Sequence, residues 1–187
     1  MSLPLLFQTT PESIPDRIPY LAISGELSEA WKGRLSSNTR MRVGLAWAGS
    51  RTLRVDARRS TPLSTFAPIL RLSSVQFVSL QKEGGADEFA ARRGHIEDWM
   101  VECEDFMDTA ALVRNLDLVI TVDSAVAHLA GALGTPVWLL NRFGSEWRWG
   151  RVSECSPWYP SMRIFRQQES ESWDRVIARV ADALSHF

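Results

Sequence analysis

The chain predicts an α/β fold built on a single doubly wound parallel sheet, and three observations carry that prediction. Leu116-Asp117-Leu118-Val119-Ile120-Thr121-Val122 is apolar and β-branched nearly throughout, as a parallel strand covered on both faces must be. It runs directly into Asp123-Ser124-Ala125-Val126-Ala127-His128-Leu129-Ala130, a polar cluster followed by small residues that let a helix lie close on a sheet. Gly134 then stops the helix, and Thr135-Pro136 opens another apolar run from Val137 to Leu140. Asp123 or Ser124 supplies the helix cap. In open parallel sheets, ligands bind where strand C-termini meet helix N-termini, and free backbone N–H groups there favour phosphate. A phosphorylated small molecule is the expected ligand.

The remaining elements repeat the alternation. Residues 1 to about 24 are interrupted by Pro4, Pro11, Pro15 and Pro19 and show no period, which predicts an arm or linker. Leu27, Trp31 and Leu35 recur at helical spacing, so residues 1–40 read as a linker with a short helix, and residues 41–187 as the sheet domain. Arg42 to Trp47 makes a first core strand. Ala48-Gly49-Ser50 and the arginine-rich stretch from Arg51 to Arg59 form a long loop, and Ser60 or Thr61 with Pro62 starts a helix carrying Leu63, Phe66, Ile69 and Leu70. Val75 to Leu80 is a second strand that ends at Gln81-Lys82. Residues 86–93 read as helical, 96–101 as a short strand and 109–115 as a short helix feeding the 116–122 strand. Met162 to Phe165 is the last strand, and Trp173, Val176, Ile177, Val180, Ala181 and Leu184 form the apolar stripe of a closing helix. Strands alternating with helices in this way imply one Rossmann-like sheet.

Composition excludes several function classes. A chain of 187 residues, 45% hydrophobic, can bury one full core. A net charge of -1 gives no global attraction to nucleic acid or to a membrane surface. No apolar run approaches the ~20 residues needed to cross a bilayer, and no apolar core follows a basic start as in a signal peptide. Cys103 and Cys155 lie far apart without metal-ligand spacing, so both read as ordinary thiols of a reducing compartment, and a cytoplasmic location is expected. Eight tryptophans serve as core, interface or ring-stacking residues.

Motifs narrow the chemistry. A nicotinamide enzyme needs Gly-x-Gly-x-x-Gly after its first strand, whereas Gly44-Leu45-Ala46-Trp47-Ala48-Gly49 has other spacing and lies within the strand. A P-loop is absent, and Ser124 stands in Val-Asp-Ser-Ala-Val instead of the Gly-x-Ser-x-Gly of a serine hydrolase. Gly44 to Ser50, the basic loop after it, Phe77-Val78-Ser79-Leu80-Gln81-Lys82, Asp108-Thr109-Ala110-Ala111-Leu112 and above all Val122 to Ala130 resemble the C-terminal half of the heptosyltransferase-like family 9 glycosyltransferases. The resemblance spans roughly residues 40–185 and is closest to the version attached to bacterial tetratricopeptide-repeat proteins. It implies one half of a GT-B fold, in which two Rossmann-like domains face each other. The C-terminal domain of that family holds a nucleotide-diphosphate sugar, and the N-terminal one supplies the acceptor site and usually the catalytic base. An acceptor domain preceding this one in a longer polypeptide is therefore an implied partner, and the catalytic residue is left unassigned. The family generally has glycine where this chain has Ala125, and a lysine near the phosphates where this chain offers Arg58 or Arg59.

The expected binding residues are Gly49, Ser50, Arg58, Arg59, Gln81, Lys82, Asp123, Ser124, Ala125, Val126 and His128. Ser124 and His128 stand at i and i+4 on one helix face. Either this helix end meets the ligand through the Ser124, Ala125 and Val126 amides, with His128 one turn behind, or Ser124 caps the helix and His128 merely satisfies it. Asp123 repels phosphate and is expected to organise the loop by accepting backbone hydrogen bonds. Arg58 and Arg59 flank the helix start and are assigned to phosphate, whereas Arg51 and Arg54 lie farther off; a solvated loop is the bland alternative. Gln81 and Lys82 stand where ribose or base contacts occur. Trp147 and Trp149 either wall the cleft or pack on the Pro157-Trp158-Tyr159-Pro160 turn. No metal and no cofactor are expected, since an Asp-x-Asp motif is missing. The alternatives to a donor-binding glycosyltransferase half are a non-catalytic nucleotide-binding or scaffold domain and, more weakly, a nucleotide-sugar epimerase-like enzyme.

Overall fold

Five short, largely apolar runs and the Glu97-Asp98 pair form six parallel strands. The computed structural model describes residues 3–15, 17–35, 40–50, 56–82 and 95–187. The strands are β1 (Met41–Ala46), β2 (Val75–Ser79), β3 (Glu97–Asp98), β4 (Leu118–Val122), β5 (Val137–Asn141) and β6 (Met162–Arg166), in the order β3-β2-β1-β4-β5-β6. The helices are α1 (Leu3–Leu6), α2 (Gly25–Arg34), α3 (Asp56–Arg59), α4 (Ala67–Leu70), α5 (Phe106–Arg114), α6 (Ala125–Leu133) and α7 (Trp173–Leu184). From β1 the chain winds one way through β2 to β3, then returns to β4 on the other side of β1 and continues outward. The order therefore reverses between β1 and β4, where Val43 pairs with Leu118 and Ala46 with Thr121. Connections leave these two strands in opposite directions, which opens a crevice beyond their C-terminal ends.

Both faces of the sheet are covered. Strand side chains alternate between two apolar layers, with Leu118, Ile120, Val122, Trp138 and Leu140 on one face and Val119, Val137 and Leu139 on the other. The first face packs with Leu63, Phe66, Ile69 and the α7 residues Val176, Ile177, Val180 and Leu184, and the second with Trp31, α5, α6, Trp149 and Tyr159. Helix α2 is tied to α5 by the Trp31 indole N–H, which donates to Asp108 Oδ1 at 3.2 Å, and by the Asn115 amide, which donates to the Ser28 carbonyl at 3.0 Å. The arm before α2 lies along α6: the Tyr20 and Leu21 amides both donate to the Ala132 carbonyl, at 3.0 and 3.3 Å.

Local chemistry moves some boundaries from where the sequence pattern puts them. The helix expected from Ser60 or Thr61 onward is a 3₁₀ turn over Leu63–Phe66 followed by α4. Pro68 has no N–H to give the Ser64 carbonyl, so Ala67 donates to it instead and the turn tightens. The basic loop contains a helical turn, α3. The strand expected at 96–101 pairs only through Glu97 and Asp98 with Val78 and Ser79, then turns into a 3₁₀ segment over Met100–Glu102. Helix α5 begins earlier than expected because Asp105 caps it, accepting from the Met107 and Asp108 amides. The helix expected over 86–93 lies outside the described residues, as do Arg51 and Arg54. Cys103 and Cys155 are free, and no helix among the described residues is long and apolar enough to cross a membrane.

Gly131 and Gly33 separate packing from helix propensity. A Cβ at Gly131 would stand 2.5 Å from Tyr159 Cγ, the rigid root of a buried ring, whereas one at Gly33 meets nothing within 4 Å. Gly131→Ala should destabilise by about 1–3 kcal/mol because overpacking outweighs the helix gain. Gly33→Ala should stabilise by roughly 0.5–1 kcal/mol. Urea unfolding of both variants checks the pair; a stabilised Gly131→Ala would show that Tyr159 does not rest on α6.

Candidate functional site

The crevice is built from the residues that follow β1 and β4. After β1 the chain stays extended because Gln81 Oε1 accepts from the Trp47 and Ala48 amides at 3.2 and 3.0 Å. The Gly49 amide donates to Ser60 Oγ at 3.0 Å, and Ser60 Oγ in turn donates to Asp56 Oδ1 at 2.8 Å. Arg59 closes the network. Its Nε lies 3.2 Å from Asp56 Oδ1 and its Nη1 donates to the Asp123 carbonyl at 2.9 Å. Only a glycine fits beneath this guanidinium, since a Cβ at position 49 would come within 2.5 Å of Arg59 Nη2, Cζ and Nε. Gly49, α3 and the turn after β4 are thus drawn together at the switch point.

The start of α6 is not capped by its own side chain. Ser124 has the extended backbone of a cap, but its hydroxyl hydrogen bonds Thr121 Oγ1 at 3.1 Å and takes no bond from the helix. Ala127 donates back to the Ser124 carbonyl, while the first helical N–H groups, those of Ala125 and Val126, precede any intrahelical partner. Ala125 is exposed and Ser124 half-buried, so the helix end faces outward with its partial positive charge.

Several expected residues stand elsewhere in the bonding pattern. His128 does not satisfy Ser124: its Nδ1 lies 3.0 Å from the Tyr159 hydroxyl, and its ring stacks on Trp149 at 5.2 Å between centroids. The reason is geometric, because Ser124 turns back to the strand while His128 turns toward the β5-to-β6 connection. Asp123 ties the turn through its backbone carbonyl, which accepts from Arg59; no described backbone donor reaches its carboxylate. Lys82 turns away from the crevice and donates to the Cys103 and Glu104 carbonyls at 3.1 and 3.4 Å. Arg58 is exposed and has no partner among the described residues. Ser50 is half-buried beside Gly49, and Val126 packs against the core. Trp149 is buried against His128 and Tyr159, whereas Trp147 is 65% exposed and meets Trp158 edge-on, so both pack on the Pro157–Pro160 turn. No group of three or more His, Cys, Asp or Glu side chains arranged for a metal occurs among the described residues.

The His128 cluster was not legible as a unit. Tyr159 shares its hydroxyl between His128 and Tyr20, whose hydroxyl lies 3.3 Å away. Burial lowers the His128 pKa from its ordinary 6.5, with Asp123 opposing and Arg148 assisting, and burial also raises the Tyr159 phenol. His128 is therefore neutral at pH 7.

Residues 104–184 match the model of glycosyltransferase family 9 (heptosyltransferase). The chain resembles family 9. It is 35% identical over 185 residues to Protein FlbA of Caulobacter vibrioides, covering 95% of this chain and 31% of FlbA. Among solved structures it is similar to E. coli ADP-heptose lps heptosyltransferase II, with a TM-score of 0.64 and 17% identity over 95% of this chain and 56% of that one. It is also similar to E. coli heptosyltransferase WaaC with ADP, with a TM-score of 0.55 and 15% identity over 86% of this chain and 47% of that one. A family 9 glycosyltransferase from Veillonella parvula aligns with a TM-score of 0.52 and 17% identity, over 86% of this chain and 46% of that one. The chain thus spans about a third of its curated relative and about half of each heptosyltransferase, with which it shares the fold. The family 9 match takes in β4, α6 and the Asp123–His128 segment but stops short of Gly49, Arg58, Arg59, Gln81 and Lys82.

Two outcomes test the site's architecture. Arg59→Ala strands the Asp56 carboxylate, whose side chain is only 12% exposed, and should cost about 1.5–3 kcal/mol in chemical denaturation. A change below ~0.5 kcal/mol would mean that the network holds without its guanidinium. The second outcome concerns pH. A histidine with a lowered folded pKa contributes stability that is fully present above the unfolded value of 6.5 and is lost as pH falls through the folded value. Melting temperature should drop across that acidic window, and less so in His128→Phe, which keeps a ring beside Trp149. Identical pH profiles would remove His128 as the source.

Proposed function

We propose that this chain is the donor-binding half of a glycosyltransferase and holds the diphosphate of a nucleotide sugar at the crevice between β1 and β4. The observation that carries the reading is the start of α6: at the switch point of a parallel sheet, its first amides are exposed because Ser124 turns to Thr121 instead of capping them. The family 9 match covers this same segment, and one similar heptosyltransferase was solved with ADP.

The chemistry follows from charge. As the glycosidic bond to the donor breaks, the diphosphate gains negative charge, and helix-terminal N–H groups with a nearby arginine stabilise it without a metal. Among the described residues of the basic loop, Arg58 is the arginine available, since the Arg59 fork is engaged with Asp56 and the Asp123 carbonyl. Transfer would further require an acceptor-binding half facing this one, in a longer polypeptide. A second reading, a nucleotide-binding scaffold without transfer, is favoured by the internal use of Arg59, Gln81 and Lys82, which leaves few side chains to act on a sugar.

Calorimetric titration with ADP and UDP tests the site. Ala125→Glu places a carboxylate beside the free amides and should abolish binding in a folded protein, since a carboxylate in a helix's first turn does not unfold it. Arg58→Ala should weaken diphosphate binding about 10- to 150-fold and leave the free nucleoside nearly unchanged. Unaltered affinity in both variants would move the ligand away from α6. Separately, absence of sugar transfer by a donor-binding chain supports the need for an acceptor half, and robust turnover refutes it.

A further inference from the structure

A second cavity opens farther along the C-terminal edge of the sheet, beyond β5 and β6. Its volume is about 470 Å³, and its lining includes Asn141, Arg142, Ser145, Arg151 and Arg166 with no acidic side chain. Asn141 ends β5 opposite Arg166, and its backbone carbonyl is used by the Gln167 amide at 2.8 Å. Its side chain is different. Asn141 is 1% exposed, yet its Oδ1 has no hydrogen-bond partner. A buried amide oxygen left unpaired is costly, and this one belongs to a residue of the cavity lining, where a bound donor could satisfy it after a small side-chain shift.

The cations define the rest. Arg166 donates to the Trp149, Gly150 and Ser153 carbonyls, which fixes the wall of the cavity; among the described residues it has no ion pair, and Glu154 acts on it only from longer range. One Nη of Arg142 donates to the Phe143 and Gly144 carbonyls, leaving the other nitrogens of its fork for a ligand. Arg151 is exposed and unpaired among the described residues. Three positive charges with no carboxylate among the lining residues suit an oxyanion, and a hydroxyl on it would supply a donor for the unpaired Oδ1. The cavity is also too large for a lone ion. From these observations we infer that the β5–β6 edge is a binding site for a hydroxyl-bearing oxyanion of sugar size, a sugar acid or a sugar phosphate, separate from the nucleotide crevice at α6.

The probes are glucuronate and glucose 6-phosphate, with glucose and inorganic phosphate as controls, titrated against the protein and followed by calorimetry and by amide chemical shifts. Saturable binding of at least one probe is expected, stronger than either control, with shifts at Asn141, Arg142 and Arg151; which probe wins separates carboxylate from phosphate. Arg151→Glu, an exposed change that leaves the fold intact, and Arg142→Ala should each weaken it about tenfold or more. Asn141→Leu should remove the preference over inorganic phosphate without loss of stability, because it deletes an unpaired acceptor. ADP affinity should be unchanged in Arg151→Glu. Failure of both probes to saturate, full affinity in Arg151→Glu and Arg142→Ala, or competition between ADP and the probes would each overturn the inference. The α6 site is tested separately, by Ala125→Glu and Arg58→Ala.

Discussion

One guanidinium holds the ligand-facing edge of the sheet in shape. Beyond the C-terminal ends of β1 and β4 no ladder hydrogen bonds join the strands, and their connections leave in opposite directions. Arg59 spans that gap, with Asp56 on its own helical turn, the Asp123 carbonyl across the crevice and the bare backbone of Gly49 beneath it. The ion pair is mostly buried, so neither partner can be removed without leaving an uncompensated polar group. The position of the α6 N-terminus relative to β1 follows from this bridge.

That arrangement divides the polar side chains of the edge into two sets. Gln81, Arg59, Ser60 and Thr121 are spent on the backbone or on one another, and they make the crevice rigid. Arg58 and the first amides of α6 are left for a ligand. A site whose support is complete before the ligand arrives has little ordering to do on binding, which favours affinity.

Much of this was legible in the sequence, for identifiable reasons. The runs 116–122 and 137–140 are apolar on both faces, and only a parallel sheet covered on both sides accommodates that pattern, so β4, α6 and β5 could be placed closely. Turn chemistry was harder. The 3₁₀ start before α4 depends on Pro68, and the early start of α5 on Asp105, a cap that lies before the apolar pattern begins. Side-chain partners were least legible. Ser124 and His128 share a helix face by spacing, but spacing says nothing of Thr121 behind Ser124 or of Tyr159, which reaches His128 from the connection between β5 and β6. The one available signal was the Pro-Trp-Tyr-Pro turn, which marks an aromatic cluster without saying what it meets.

The same cluster limits what His128 can do beside a diphosphate. Stacked on Trp149 and buried, the imidazole is held neutral, and the Tyr159 hydroxyl stays protonated because burial raises its pKa. The Tyr159 hydroxyl stands between the Tyr20 hydroxyl and His128 Nδ1, so the direction of its two hydrogen bonds and the imidazole tautomer are linked. A neutral His128 carries hydrogen-bonding capacity but no charge. In the proposed donor site, electrostatic stabilisation of a leaving diphosphate would come from the α6 amides and an arginine, whose positive character does not depend on pH near neutrality. Through the shared Tyr159 hydroxyl, the arm carrying Tyr20 is tied to the hydrogen bonding of His128, a contact far from it in sequence.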